Sequence, residues 1–189
     1  MELKSRTSAW TLLVASIAGF LASFILTYDK FKVLKDSGYT PSCNINATLN
    51  CKSVMLSKQA EVFGFPNSLI GVATFAMMLV IAVSLFFGIK FPKLFWQLAL
   101  TGTALAVFFC HWLAYQTTFI IGALCPYCMV AWFATLLVLS VGIRELLEFK
   151  RQSASDEDSQ IAIETIQKWM VPFHLLWAGL LIGAAFMGV

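Results

Sequence analysis

The sequence predicts an all-α membrane protein: a four-helix transmembrane bundle with a fifth transmembrane helix at its C-terminal end. Three observations lead there. The 189 residues are 59% hydrophobic and only 12% charged, where soluble domains carry roughly 25% charged residues. The mean hydropathy is +0.80. The charges cluster in gaps, leaving uncharged stretches at about 8–28, 66–89, 94–143 and 169–189.

The first span follows a charged start, Met1 to Arg6, and runs to Tyr28, where Asp29, Lys30 and Lys32 end the apolar run. It is long enough to cross a bilayer and lacks a small-x-small cleavage site, so it reads as an uncleaved span rather than a signal peptide. The second span begins near Pro66. The third stretch, 94–143, is too long for one crossing of a ~30 Å core at 1.5 Å rise per residue. It therefore holds two helices, with the reversal at Gln116-Thr117-Thr118 and Gly122. Residues 1–150 form the bundle. Residues 151–189 hold an acidic connector, Ser153 to Gln160, and the fifth span, with His174 near its start.

Lys and Arg set the orientation. Eight of them precede span 1 or lie between spans 2 and 3 and spans 4 and 5, all on one side. The loop between spans 3 and 4 has none. Five dissent in the loop between spans 1 and 2: Lys30, Lys32, Lys35, Lys52 and Lys58. The balance puts the N-terminus in the cytoplasm of a multi-pass inner or plasma membrane protein. The formal net charge of +3, with no basic stripe, gives no sign of nucleic acid.

The loop from 29 to 65 is then periplasmic, and it is long for a simple connector. Its second part, Cys51 to Phe63, mixes apolar and polar residues as a short amphipathic helix over the bundle mouth would, with Asn50 as its N-cap.

That orientation places four of the five cysteines outside, where disulfides persist. Cys43 and Cys51 lie in the first loop, and Cys125-Pro126-Tyr127-Cys128 opens span 4. Two intervening residues let the sulfurs meet in a first helical turn, with Pro126 where no N–H is needed. A helix N-terminus favours the thiolate of such a pair, and Lys52 does the same beside Cys51. Two cysteine pairs exchange electrons as thiols and disulfides, so the four form a candidate relay. A zinc site fits less well, because the first pair is spaced by seven residues. A structural disulfide in the loop, in a non-enzymatic membrane scaffold or a metal-binding protein, is the competing reading. Four cysteines allow three pairings, which stay open here. Cys110, inside span 3, reads as a packing thiol, and its neighbour His111 as a hydrogen-bonding or proton-relay candidate within the membrane.

With both pairs placed, the sequence resembles the vitamin K epoxide reductase family in its bacterial branch. The resemblance rests on Cys43, on Cys51-Lys52-Ser53-Val54-Met55-Leu56-Ser57, on Phe63-Gly64-Phe65-Pro66-Asn67-Ser68-Leu69-Ile70-Gly71 and on Cys125-Pro126-Tyr127-Cys128. It implies a four-helix bundle around a quinone, with no metal. Cys128 would reduce the quinone, Cys125 would exchange with Cys51, and Cys43 would meet a thioredoxin-like protein. Asn67 and Ser57 would line the quinone site, with Asn67 donating to a quinone oxygen. The chain ends at Val189, without room for the fused thioredoxin-like domain of many bacterial members, so a separate exported partner is expected. Trp132 stands where the animal enzymes have a tyrosine, which favours menaquinone or ubiquinone over vitamin K epoxide. The other bacterial quinone-linked bundle carries its two cysteine pairs in the reverse order.

Overall fold

A computed structural model describes residues 2–153 and 157–188. Six α-helices follow in order: α1 (Glu2–Lys35), α2 (Cys51–Met55), α3 (Ser68–Phe86), α4 (Lys93–Tyr115), α5 (Pro126–Ser153) and α6 (Glu157–Gly188). A 3-10 turn at Lys58–Glu61 follows α2, and a π-helical segment at Gln116–Ile121 extends α4. Four of the helices are long and apolar enough to cross a membrane: Arg6–Lys35, Ser68–Phe86, Lys93–Ile121 and Pro126–Gln152.

One physical rule explains both faces of α1. Between helices in lipid no hydrophobic force operates, so close packing of small residues holds them together. Ser8, Ala9, Ala15, Ser16, Ala22 and Ser23 are all buried. Trp10, Val14, Ile17, Leu21, Phe24, Tyr28 and Phe31, at alternating spacings of four and three, form an exposed apolar stripe. That is the face a helix gives to acyl chains. On its buried side α1 packs most extensively against α3 and then α5, and α5 also carries α4 and α6. Gly19 lies against the Phe75 ring and Gly71 against Ser23, so α1 and α3 approach at two glycines. Leu12, Ala15, Phe75, Ala82, Trp96, Ala134, Val138 and Val141 form the core away from the cysteines. Helices α3 and α4 are consecutive but barely touch.

The reversal after α4 falls at the predicted residues. The helix loosens into the π-helical segment, and Gly122 stops it with φ 67, a left-handed conformation that suits glycine.

Two boundaries differ from expectation. The loop predicted from Asp29 starts after Lys35, because α1 continues two turns past the apolar run. Its charged residues are compatible with a helix, and partners from the loop receive two of them, as described below. The predicted connector Ser153 to Gln160 lies partly outside the described residues, and the chain is helical again from Glu157. Arg151 pairs with Glu164 at 2.9 Å, tying α5 to α6. The side chain of His174 lies outside the described residues.

Candidate functional site

The first cysteine pair is held by asparagines. Asn50 caps α2, its side-chain oxygen accepting from the Ser53 N–H at 3.0 Å. Asn44 accepts from the Lys52 N–H at 2.9 Å, and Asn46 from the Leu49 N–H at 2.7 Å. Short amide side chains satisfy backbone donors in this way wherever the chain turns. Within the resulting compact loop Cys43 and Cys51 are disulfide-bonded, with Cα atoms 5.7 Å apart. Both are buried. The predicted amphipathic segment is broken into α2 and the 3-10 turn rather than forming one helix.

Backbone hydrogen bonds join this loop to the second pair. Leu49 and Leu124 form a parallel β-bridge: the Leu124 N–H donates to Thr48 O at 2.7 Å, and the Asn50 N–H to Leu124 O at 2.9 Å. Leu124 adjoins Cys125, and Leu49 lies two residues before Cys51. Cys43, Cys51 and Cys125 therefore fall in one buried cluster with Leu26, Val54, Met55 and Ala123, and Cys128 packs against it. All four predicted relay cysteines are brought together.

Cys125 precedes Pro126, the first residue of α5. The Cys128 N–H points at Cys125 Sγ at 3.3 Å, and the two sulfurs stand 2.6 Å apart as free cysteines. They border a cavity of about 770 Å³ with largely apolar walls from α1, α3, α4 and α5. Cys110 lies on the same wall and packs against Trp132 and Leu136.

Asn67 and Ser57 both line this cavity. The Asn67 side-chain amide donates to Gln59 O at 2.7 Å, and its oxygen accepts from the Val62 N–H at 3.2 Å. Asn67 thus staples the 3-10 turn to the start of α3, without capping α3. One of its two amide hydrogens is used in doing so. The Ser57 hydroxyl donates to Val54 O at 2.7 Å.

Three residues have features that sequence reasoning left out. Lys30 is buried, donates to Met55 O at 2.6 Å and pairs with Glu61 at 2.9 Å. It holds both short helical pieces over the cavity. A lysine one turn inside the end of a long apolar helix was the available signal. Beside it the Asp29 carboxylate accepts from the Tyr39 hydroxyl at 2.8 Å. That hydrogen bond, with smaller contributions from burial and the Asp29 charge, holds the Tyr39 phenol above its usual range and keeps it a donor. Trp132 is the third. It lines the cavity, is 6% exposed, and its indole N–H has no partner.

Replacing Lys30 with methionine is expected to loosen the loop. Met55 O loses its donor, at about 1–3 kcal/mol. The loss of the ion pair itself adds little, because Glu61 is 41% exposed and can hydrate. Limited proteolysis should cut the 36–66 segment of Lys30→Met faster than that of wild type.

The profile of the vitamin K epoxide reductase family matches residues 10–143, well over half of the chain. No curated protein matches it.

Proposed function

Since the chain belongs to the vitamin K epoxide reductase family, we propose that it is a membrane thiol–disulfide oxidoreductase working between a quinone and a thioredoxin-like exported protein. In this reading Cys125 and Cys128 deliver electrons into the bundle cavity, and Cys43 and Cys51 collect them from the partner. The supporting observation is the joining of the two pairs in one buried cluster, with the second pair on the wall of a large apolar cavity.

The electron path follows from the chemistry of sulfur. A partner thiolate attacks Cys43 Sγ, breaking the Cys43–Cys51 bond and releasing Cys51 as a thiolate. The partner's second thiol then displaces Cys43, so the partner leaves as a disulfide. Cys51 attacks Cys125 in a Cys125–Cys128 disulfide and frees Cys128. Cys43 displaces Cys125 from Cys51, which restores the first disulfide. Two electrons and two protons now reside on Cys125 and Cys128.

A bound quinone supplies an acceptor for two electrons and two protons, which balances closure of the Cys125–Cys128 disulfide. The cavity suits such a ring. Small-molecule pockets span about 300–1,000 Å³, with mostly apolar walls and a few placed polar groups. The second amide hydrogen of Asn67 is a donor for a ring oxygen, and such a donor acts most strongly in a dry site; the Trp132 ring adds an apolar wall. Ser57 keeps its oxygen lone pairs for the same space. The sparse contact between α3 and α4 leaves the cavity a side facing lipid, where a long apolar tail fits.

In the membrane, α6 is the fifth span, and the cysteine end of the bundle faces outside. Two of the five dissenting lysines then have local tasks on that side: Lys30 as described, and Lys52 donating to Ser37 O and Tyr39 O at 2.6 and 2.9 Å.

The test is direct. Purified protein in detergent should reduce menaquinone or ubiquinone, followed by absorbance, when dithiothreitol is added. Folded wild-type protein that reduces neither would overturn the proposal.

A further inference from the structure

One polar contact within the helices, unused by the electron path, joins α4 to α6. The Trp177 indole N–H donates to His111 Nε2 at 3.0 Å. His111 Nδ1 lies 2.8 Å from Val107 O, one turn back on α4. An indole N–H only donates, so Nε2 is the acceptor and the ring proton sits on Nδ1, donating to Val107 O. The imidazole is neutral and both nitrogens are engaged. In this arrangement it has no free lone pair for the proton-relay role that the sequence allowed.

The other side of the ring faces the site. Trp132 meets His111 edge-on, with centroids 5.2 Å apart and planes at 89°. Trp132 stands one turn beyond Cys128 on α5. His111 borders the main cavity together with Cys128 and Trp132. It also borders a smaller crevice of about 220 Å³ on the α6 side, where Phe173 and Trp177 lie. The imidazole is thus a partition between the site and the C-terminal helix. A leucine would fill the same space without needing partners. What the polar pair adds is a fixed ring plane and tautomer, because an unpaired imidazole nitrogen is expensive in an apolar layer.

We propose that α6 is a working part of the quinone site: Trp177 positions His111, and His111 holds the Trp132 ring in the cavity wall beside Cys128. The inference rests on the quinone reading of that cavity. Trp177 and His111 are positioning residues, since neither exchanges electrons. Losing the Trp177 donor frees the imidazole to turn and to change tautomer, and Trp132 loses its stop. Quinone binding weakens, while sulfur exchange around α2 is untouched.

The experiment uses the full chain in detergent. Trp177→Phe should raise the KM for menaquinone about fivefold, the equivalent of one neutral hydrogen bond, with kcat nearly unchanged. The rate at which dithiothreitol opens the Cys43–Cys51 disulfide, followed by maleimide labelling, should stay at the wild-type value. In a His111→Phe background the same substitution should add nothing, because coupled residues do not act additively. Ring nitrogen NMR should show one neutral Nδ1–H tautomer in wild type and a mixture in Trp177→Phe. If Trp177→Phe does not fold, His111→Leu replaces it, with the same rise in KM expected. An unchanged KM, effects that multiply in the double variant, or an Nε2–H tautomer in wild type would each overturn the inference. Wild type that reduces no quinone overturns the quinone reading and this inference together. The NMR result then reports separately whether the Trp177–His111 contact exists.

Discussion

Cys128→Ala is expected to abolish dithiol-driven quinone reduction, by about a thousandfold or more, the scale of removing a reacting nucleophile. Cys51→Ala should behave differently. Cys128 borders the cavity and Cys125 stands beside it, whereas Cys51 is fully buried behind the α2 loop. A small dithiol that reaches the second pair directly bypasses Cys51, so this variant keeps most of its dithiothreitol-driven activity. What it loses is the route through the first pair: with no Cys43–Cys51 disulfide to attack, a reduced thioredoxin-like partner stays reduced. Losing the small disulfide loop removes about 2–3 kcal/mol of stability, so the comparison belongs well below the unfolding midpoint. Cys110→Ala, which removes a wall residue outside the relay, should remain active. Equal and complete loss in Cys51→Ala and Cys128→Ala would refute the order of the relay.

Gly19→Ala should destabilise the protein more than alanine at the other glycines where α1 meets α3 or along α4. A Cβ at Gly19 falls onto the Phe75 ring, which is buried in the core and must be pushed toward the cavity it borders. Overpacking of this kind costs about 1–3 kcal/mol. For a chain of this size that lowers the thermal midpoint by roughly 2–10 °C. Gly71→Ala meets Ser23, whose hydroxyl has other rotamers although its Cβ, 3.0 Å away, stays close, so its loss should be smaller than that of a clash with a whole ring. Gly102 provides the control. Nothing lies within 4 Å of a Cβ there, and Gly102→Ala should be neutral or slightly stabilising. Thermal unfolding of the three variants decides it. Gly19→Ala as stable as Gly102→Ala would mean that α1 and α3 do not approach as described.

The sequence made legible whatever depends on local pattern. The apolar stretches, including one long enough for two spans, the Asn50 cap, Pro126 at the first helical position and the break before Gly122 all follow from single residues or short windows. The Cys-x-x-Cys spacing at a helix start was legible for the same reason. The end of α1 was not, because Asp29 and Lys30 look like residues seeking water, and only the folded loop supplies Tyr39, Met55 O and Glu61 as their partners. Asn67 was visible as a polar residue entering a span, yet its bonds to Gln59 and Val62 depend on how the 3-10 turn folds back. The Trp177–His111 contact spans 66 residues of chain and has no local signature.

The short β-bridge between Leu49 and Leu124 has a kinetic consequence. Cys51 and Cys125 are separated by some seventy residues, and a free chain of that length would lose roughly (3/2)RT ln n, about 4 kcal/mol, each time it brought two sulfurs together. The bridge meets that loss once, during folding. Afterwards the encounter is no longer a search by a loop through solvent. In the proposed relay it becomes an encounter at a high effective molarity, without renewed entropy loss at each turnover. Substitutions that weaken the bridge, such as proline at 124, should therefore slow transfer between the pairs while each pair on its own stays reactive.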